Sequence, residues 1–550
     1  MGEPLLGDSP YFLFSAKVFN NEALQSYFPQ IVGVDHPTLY VHILALVDRL
    51  IGLNPVSARS IGILSFIATL ALIYVVAQNV FKEGKNIFPV GLIAVFLYAI
   101  NPMAIQGSLL PDNDTTILTP LLLLFIYFFV KLKGKNRGFL LGIFFGFILW
   151  VKLTTLFILI PAIFTFYSLR GKFREGFKES GLVLFIGLVL FVISWGSYCY
   201  FTKRPYLFPL VHLRNIFLAG SPLFIYSSGN KVILNTARIA LRIILYASPF
   251  YFLIFFKSFW YRLREFILRR ERHSVDFLFI LGLTLFCAYL FVGGLTHSFP
   301  KYHYPFLSLS AILIAGFIAD KVKFQRKHLL LYGLMAASIV SYNIFLVGDF
   351  LYFSDYALRE SLIMTGKITD EAAKNLVIQL VLYVFPFLLI FVILKVKKAS
   401  LVFYRTVFIW TVASCLSMNI LQARADYHTV YCYGGRGTKE MVSLVRKMKT
   451  RSKSIVTTQD IFYNIDEKEF LTSPGYRFPP AIFSSSKKFM EVIEDKKPDF
   501  VIFSISSNTV KQYQAVFNNL EVVNLLKKYF SREEIGSYTI WVRKEGHIKE

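Results

Sequence analysis

IFPVGLIAVFLYAINPMAIQGSLLPDNDTTILTPLLLLFIYFFVKL, residues 87–132, reads as two apolar runs divided by a short loop that carries Asp112 and Asp114. Each run is close to the length of about 20 residues that crosses a bilayer as a helix. Charge beside hydrocarbon is expensive, so two carboxylates at such a junction ask for a reason. The pattern repeats along the chain. Hydropathy marks about twelve segments, near 58–80, 87–106, 116–132, 138–151, 155–169, 181–201, 237–256, 276–295, 304–320, 328–347, 375–394 and 401–421.

Composition agrees with this reading. The 550 residues are 55% hydrophobic and 17% charged, with a mean hydropathy of +0.54, more apolar surface than a soluble chain can bury. A polytopic α-helical membrane protein is expected. The formal charge of +25 belongs to loops: FKEGKN, KLKGKNR, RGKFREGFKES, KSFWYRLREFILRRER, DKVKFQRKH and KVKK hold 23 of the 59 lysines and arginines. These loops fall on alternate crossings, which makes their side cytoplasmic. No nucleic-acid motif accompanies the charge, and nucleic acid is excluded as a partner. Cys199, Cys287, Cys415 and Cys432 are scattered and suggest neither a zinc site nor a disulfide framework.

It follows that PDND (111–114), THSFPKYHY (296–304), residues 1–57 and everything after 421 face the outside. An external N-terminal segment needs a translocating helix before it, so a first spanning helix is expected upstream of Met1. Within 1–57, HPTLYVHILALVDRLIGLNP (36–55) is amphipathic and reads as an interfacial helix. After residue 421, TKEMVSLVRKMK reads as helix, and SIVTT (454–458), DFVIFSI (499–505) and YTIWVRK (538–544) read as strands. The expected organisation is a membrane domain over 1–421, with 1–57 as its first external loop, and a small extracytoplasmic α/β domain over 422–550.

The external polar residues are the candidates for chemistry. Asp112 and Asp114 are spaced to face one ligand, which suits a divalent metal (Mg or Mn) or an acidic centre that positions a nucleophile. The competing reading is a solvated turn in which Asp114 caps the next helix. Lys152, in WVKLTT, is either a phosphate contact or a lysine snorkelling to the interface. Lys301, Tyr302 and His303 combine a cation with aromatic rings at the mouth of a helix. That combination suits a lipid phosphate, or an interfacial anchor. His36, Lys203, Arg204, His212 and Arg214 belong to the same external basic set, and Asp8 is a further external acid.

The order of these features resembles the GT-C glycosyltransferases that use polyprenyl-phosphate sugars, in particular protein O-mannosyltransferases and aminoarabinose-type transferases. GDSPYFLFSA (7–16) matches their acid-bearing D-x-x-Y…A pattern through Asp8, Tyr11 and Ala16, and HPTLYVHILALVDRLIG (36–52) and ARSIGIL (58–64) follow in the family's order. Asp114 in DNDTTIL, GFLLGIFFGFILWVK ending at Lys152, and KYHYPFLSLS (301–310) complete the series. The match is dense over 7–170 and returns at 299–317. Lys301 stands where the family commonly has Arg, which forfeits a bidentate phosphate fork.

The resemblance implies inverting transfer of a sugar from a polyprenyl-phosphate donor, a membrane lipid, to an extracytoplasmic acceptor, whether protein, lipid or envelope glycan. A plasma (inner) membrane is expected because the tail and loops show no eukaryotic hallmark such as an appended repeat domain or retention signal. It implies Asp8 as the base, Asp112 and Asp114 as acceptor-positioning or metal-holding groups, and Lys152, Lys301, Tyr302 and Arg214 at the donor phosphate. Tyr11, His36 and His303 are expected at the substrates. A transporter would instead show internal repeats and acids in mid-span; an inactive relative of the same fold would not bring the acids to one cavity.

Overall fold

The computed structural model describes residues 9–20, 39–81, 89–202, 206–207, 209–210, 229–268, 273–295, 300–322, 328–347, 370–396, 400–423, 427–428, 433–434, 437–448, 455–457, 461, 465, 485–504, 516, 519–536 and 538–544. Two short helices open the chain, α1 (Ser9–Asn20) and α2 (Leu39–Ile51). The bundle follows with α3 (Pro55–Val80), α4 (Val90–Ala99), α5 (Pro102–Ser108), α6 (Thr119–Lys131), α7 (Lys135–Val151), α8 (Leu156–Ser168) and α9 (Phe173–Thr202). It continues with α10 (Gly229–Tyr246), α11 (Pro249–Leu268), α12 (Ser274–Leu295), α13 (Tyr304–Lys321), α14 (Leu329–Tyr342), α15 (Asp370–Val396) and α16 (Ser400–Gln422).

Among the described residues, six helices are long and apolar enough to cross a membrane, or eight if each of two bent pairs counts as one span. The apolar stretches Asn136–Val151, Leu153–Ser168 and Val377–Ile390 are shorter. Every segment marked by hydropathy is largely helical over its described residues, but two are not the straight spans expected. The run at 87–106 breaks into α4 and α5, bent by 70° where Asn101 and Pro102 interrupt it. The Asn101 side chain accepts from the Met103 and Ala104 N–H groups and so starts the second piece. The run at 237–256 breaks between α10 and α11 with a 107° bend, at Ser248, which has φ of +83°. Hydropathy sums apolarity and is blind to such breaks; the freed backbone groups are met by neighbouring helices, as when Asn101 donates to the Ala247 carbonyl.

The central helix is α13, buried on all sides from Tyr304 to Ala319. Around it the outer helices turn Leu64, Ile67, Phe185, Val192 and Ile193 outward, apolar faces that belong against lipid chains. α7 and α9 run side by side along a glycine seam. Gly138, Gly142 and Gly146 recur every fourth residue, and a Cβ at Gly142 would sit 2.6 Å from Ile186 Cβ. Small residues at this spacing are how helices approach closely without a hydrophobic drive.

Beyond α16 lie β1 (Tyr427–His428), β2 (Tyr433–Gly434), α17 (Thr438–Met448), β3 (Ile455–Val456), α18 (Ser486–Lys496), β4 (Phe500–Ser504), α19 (Leu520–Tyr529), β5 (Phe530–Ile535) and β6 (Tyr538–Arg543). The main sheet has the order β3-β4-β6-β5, with β3 parallel to β4 and the other pairs antiparallel. Its faces alternate with period two. Val501 and Trp541 pack with Phe489 and Leu526 of α18 and α19. Ile502 and Ile540 face the other way, into one apolar cluster with Met441, Val442 and Val445 of α17, Phe12 and Leu13 of α1, and Tyr40, Val41 and Leu44 of α2. β5 was not expected: it follows α19 without a break, and its FSREEI sequence exposes most of its side chains at the sheet edge.

α2 meets the expectation of a short amphipathic helix. Asp48 accepts from the Leu53 N–H and from Asn20 Nδ2, and Arg49 donates to Asn20 Oδ1, which ties α2 to the end of α1.

Candidate functional site

The acids occupy a buried loop between α5 and α6 at one end of the bundle, with relative exposures of 0% for Asp112 and 3% for Asp114. The solvated-turn reading is therefore wrong. The capping expectation also needs correcting: the turn is capped by Asn113 and Asp112, whose side-chain oxygens each accept from the Asp114 N–H at 2.9 Å. Asp114 starts a single π-helical turn, Asp114–Leu118, and its carboxylate is left for another partner. Turns of this kind are rare and cluster at functional sites. The Ser65 hydroxyl of α3 donates to the Thr116 carbonyl and secures the turn from behind.

Two ties deliver a lysine to each acid. On one side Tyr304 donates to the Ala104 carbonyl of α5 at 2.7 Å, its ring lying so close over Gly107 that a Cβ there would come within 2.2 Å. Fixing Tyr304 fixes the 3₁₀ turn Pro300–His303 just before it, and Lys301 Nζ reaches Asp112 Oδ2 at 2.8 Å. On the other side Asn113 Nδ2 donates to the Val151 carbonyl at the end of α7 at 3.2 Å. The next residue, Lys152, places Nζ 2.6 Å from Asp114 Oδ1.

Each carboxylate holds an ammonium, Asp112 that of Lys301 and Asp114 that of Lys152. The pairs are bridged by Tyr302, whose ring centre lies 3.9 Å from Lys152 Nζ and 5.6 Å from Lys301 Nζ. Tyr289 of α12 adds a second ring, 4.9 Å from Lys152 Nζ. Burial pulls the Lys152 ammonium below the ordinary lysine value, and the Asp114 carboxylate draws it partly back. Lys152 is the most open member, with 12% of its side chain exposed against 4% for Lys301.

The donor set does not favour a metal as it stands. A divalent cation on Asp112 and Asp114 would compete with two ammoniums already in hydrogen-bond contact. Among the described residues no group of three or more His, Cys, Asp and Glu side chains gathers.

His303 is fully buried behind Tyr302, next to Tyr289 and Phe286. Asp8, His36, Arg214, Lys203, Arg204 and His212 lie outside the described residues, as does the side chain of Tyr11 in α1. α1 itself comes near the acids through α2. Phe12 meets the Tyr40 ring edge-on at 5.4 Å, and the Tyr40 hydroxyl is turned toward Thr116 and Asp112. Tyr40, Tyr289 and Tyr304 are site residues that sequence reasoning passed over. They sit in apolar helices where a tyrosine reads as packing.

The comparisons with known proteins bear on this same region. The family model for dolichyl-phosphate-mannose-protein mannosyltransferases matches residues 35–197, which run from α2 into α9 and include Asp112, Asp114 and Lys152. Among solved structures, ArnT from Cupriavidus metallidurans bound to undecaprenyl phosphate aligns over 100% of this chain and 96% of its own, at 13% identity and a TM-score of 0.51. Its apo state aligns over 98% and 94%, at 14% identity and a TM-score of 0.53. No curated protein sequence matches the chain. At these identities the likeness is one of architecture, and it agrees with the resemblance carried by the motifs.

Proposed function

With a GT-C membrane glycosyltransferase fold as the premise, we propose that the chain transfers a hexose or pentose from a polyprenyl-phosphate donor to an acceptor outside the cytoplasm. The observation that carries this reading is the buried four-charge cluster of Asp112, Lys301, Asp114 and Lys152 around Tyr302. Two ammoniums held in fixed directions at the end of an apolar bundle suit a lipid phosphate whose tail would lie along the outer helices. An ammonium carries three donors, and Lys152 spends one on Asp114. Asp112 and Asp114 then act as positioning residues. Arg214 would complete the phosphate contacts, and Tyr11 and His36 would contact substrate from the first external loop.

The chemistry follows from that placement. The acceptor hydroxyl or amine attacks the anomeric carbon opposite the phosphate, and its proton passes to the Asp8 carboxylate. The bond from the anomeric carbon to the phosphate oxygen breaks, and its electron pair leaves on the polyprenyl phosphate, whose added charge the ammoniums meet. The anomeric configuration inverts. The contact from α1 through Phe12 and Tyr40 to Thr116 supports Asp8, the residue before α1, as the base. Loop charge supports the acid-bearing end facing away from the cytoplasm. On the same argument residues 1–421 form the transferase domain, and 422–550 an extracytoplasmic α/β domain lying over α1 and α2.

The test is Asp8→Asn, assayed with membranes and a labelled polyprenyl-phosphate sugar. Loss of transfer with unchanged thermal unfolding is expected. Undiminished transfer would remove Asp8 from the mechanism, and passage of the intact lipid-linked sugar across sealed vesicles without transfer would make the chain a transporter.

A further inference from the structure

On the Lys152 side of the cluster, polar groups are buried without partners. His303 has no hydrogen bond at either ring nitrogen. The hydroxyls of Tyr289 and Thr154 are turned toward each other yet form no hydrogen bond of proper geometry. Buried polar groups in folded proteins are nearly always satisfied, so neighbouring exceptions call for an absent partner. They are neighbours: the His303 and Tyr289 rings are 6.2 Å apart between centroids, and Tyr289 and Tyr302 are 6.0 Å apart at 30°. Phe286 closes the outer side of the imidazole at 5.5 Å. Two hydroxyls can each donate or accept, and a neutral imidazole offers one donor and one acceptor. Around them are aromatic faces. This lining suits a ligand rich in hydroxyls with apolar C–H faces.

We infer that Thr154, Tyr289 and His303 form the subsite for the sugar of the lipid-phosphate donor, with His303 as its specificity-determining contact. The inference rests on the donor reading proposed above. Covalent geometry supplies the rest. In such a donor the anomeric carbon is one oxygen away from phosphorus, so groups adjoining the ammonium that meets the phosphate lie within reach of the sugar. Lys152 is that ammonium, and Tyr289 lies 4.9 Å from its Nζ.

A purely structural role for His303 predicts the opposite behaviour. Replacing an unpartnered imidazole with an apolar ring removes buried, unsatisfied polar atoms, so the fold should be as stable or more so, while sugar recognition is lost. The experiment uses His303→Phe, Tyr289→Phe and the conservative His303→Asn in the full chain. Binding is measured for two probes, a polyprenyl phosphate without sugar and the same lipid carrying a hexose or pentose, alongside thermal unfolding.

Wild type should prefer the sugar-bearing lipid. His303→Phe should lose that preference by roughly 10-fold, the reach of one neutral hydrogen bond. It should bind the sugar-free lipid as wild type does and unfold no earlier, and His303→Asn should recover part of the preference. If His303→Phe unfolds earlier and keeps the preference, the imidazole is structural and the inference is overturned. If wild type binds the two lipids alike, the subsite is overturned while the phosphate reading stands. If it binds neither, the donor reading falls and takes this inference with it.

Discussion

Replacing Lys301 with methionine keeps the length of the side chain and removes one charge. The ammonium lost is 2.8 Å from Asp112 Oδ2, with side-chain exposures of 4% and 0% for the two partners. Breaking a buried pair by removing one partner costs about 3–5 kcal/mol, because the other charge is left without compensation. Asp112 keeps stabilising contacts, among them the Asp114 N–H on Oδ1 at 2.9 Å. The lower end is therefore expected, and about 3 kcal/mol is roughly a 160-fold fall in the folded-to-unfolded ratio. Asp112→Asn should also destabilise, by removing the carboxylate 2.8 Å from the buried Lys301 ammonium. The double variant removes both members of the pair, so its cost should fall short of the summed singles by at least about 2 kcal/mol. The assay is equilibrium unfolding in detergent micelles for the four members of the cycle, followed by donor binding for those that fold. The double variant should recover stability without recovering the donor. The reasoning is refuted if Lys301→Met costs no more than the roughly 0.5 kcal/mol of an exposed pair, or if the two costs add.

Other perturbations probe neighbouring parts of the account. Because burial lowers the Lys152 ammonium, it should lose its proton before the ordinary lysine value of 10.5 is reached, and donor affinity should fall on that alkaline side. Lys152→Arg, which stays protonated, should flatten this dependence; an unchanged pH profile of donor binding would count against Lys152. Tyr302→Ala removes the ring 3.9 Å from Lys152 Nζ, whereas Tyr302→Phe keeps it. Donor affinity should drop by up to about 30-fold for Ala, the equivalent of about 2 kcal/mol of cation–π attraction, and little for Phe. Gly142→Leu forces a side chain where Ile186 Cβ is only 2.6 Å from an added Cβ, so α7 and α9 must part and carry Lys152 with them. A cost of about 1–3 kcal/mol in detergent unfolding is expected. Met441→Asp places a charge in the cluster shared by α17, α1 and α2, and should release the C-terminal strands to proteolysis before the bundle is cut.

Much of the bundle was legible because burial in a membrane is written as long apolar runs, and each such run proved helical. The breaks at Asn101–Pro102 and at Ser248 were hidden inside those runs, since a break satisfied by other helices costs no apolarity. The C-terminal strands β3, β4 and β6 were readable from dense β-branched and aromatic residues, whereas β5 is a charged edge whose pairing only β6 reveals. At the site the residues were legible and their partnerships were not. Asp112, Asp114, Lys152 and Lys301 stand out as charges beside apolar helices. That Lys301 answers Asp112, 189 positions earlier, depends on Tyr304 lying over Gly107, which no local pattern records. Tyr289 and Tyr40 were invisible for a plainer reason: a tyrosine in an apolar helix looks the same whether its hydroxyl packs or binds.

The central claim is that this end of the bundle holds the donor phosphate between the lysines, with Asp8 across the anomeric carbon from it. A structure of the chain with a polyprenyl-phosphate sugar bound tests it most directly. The account predicts phosphate oxygens about 3 Å from the Nζ atoms of Lys152 and Lys301, with the Asp8 carboxylate on the opposite face of the sugar. A phosphate seated elsewhere, with both ion pairs undisturbed and Asp8 facing bulk solvent, would contradict it.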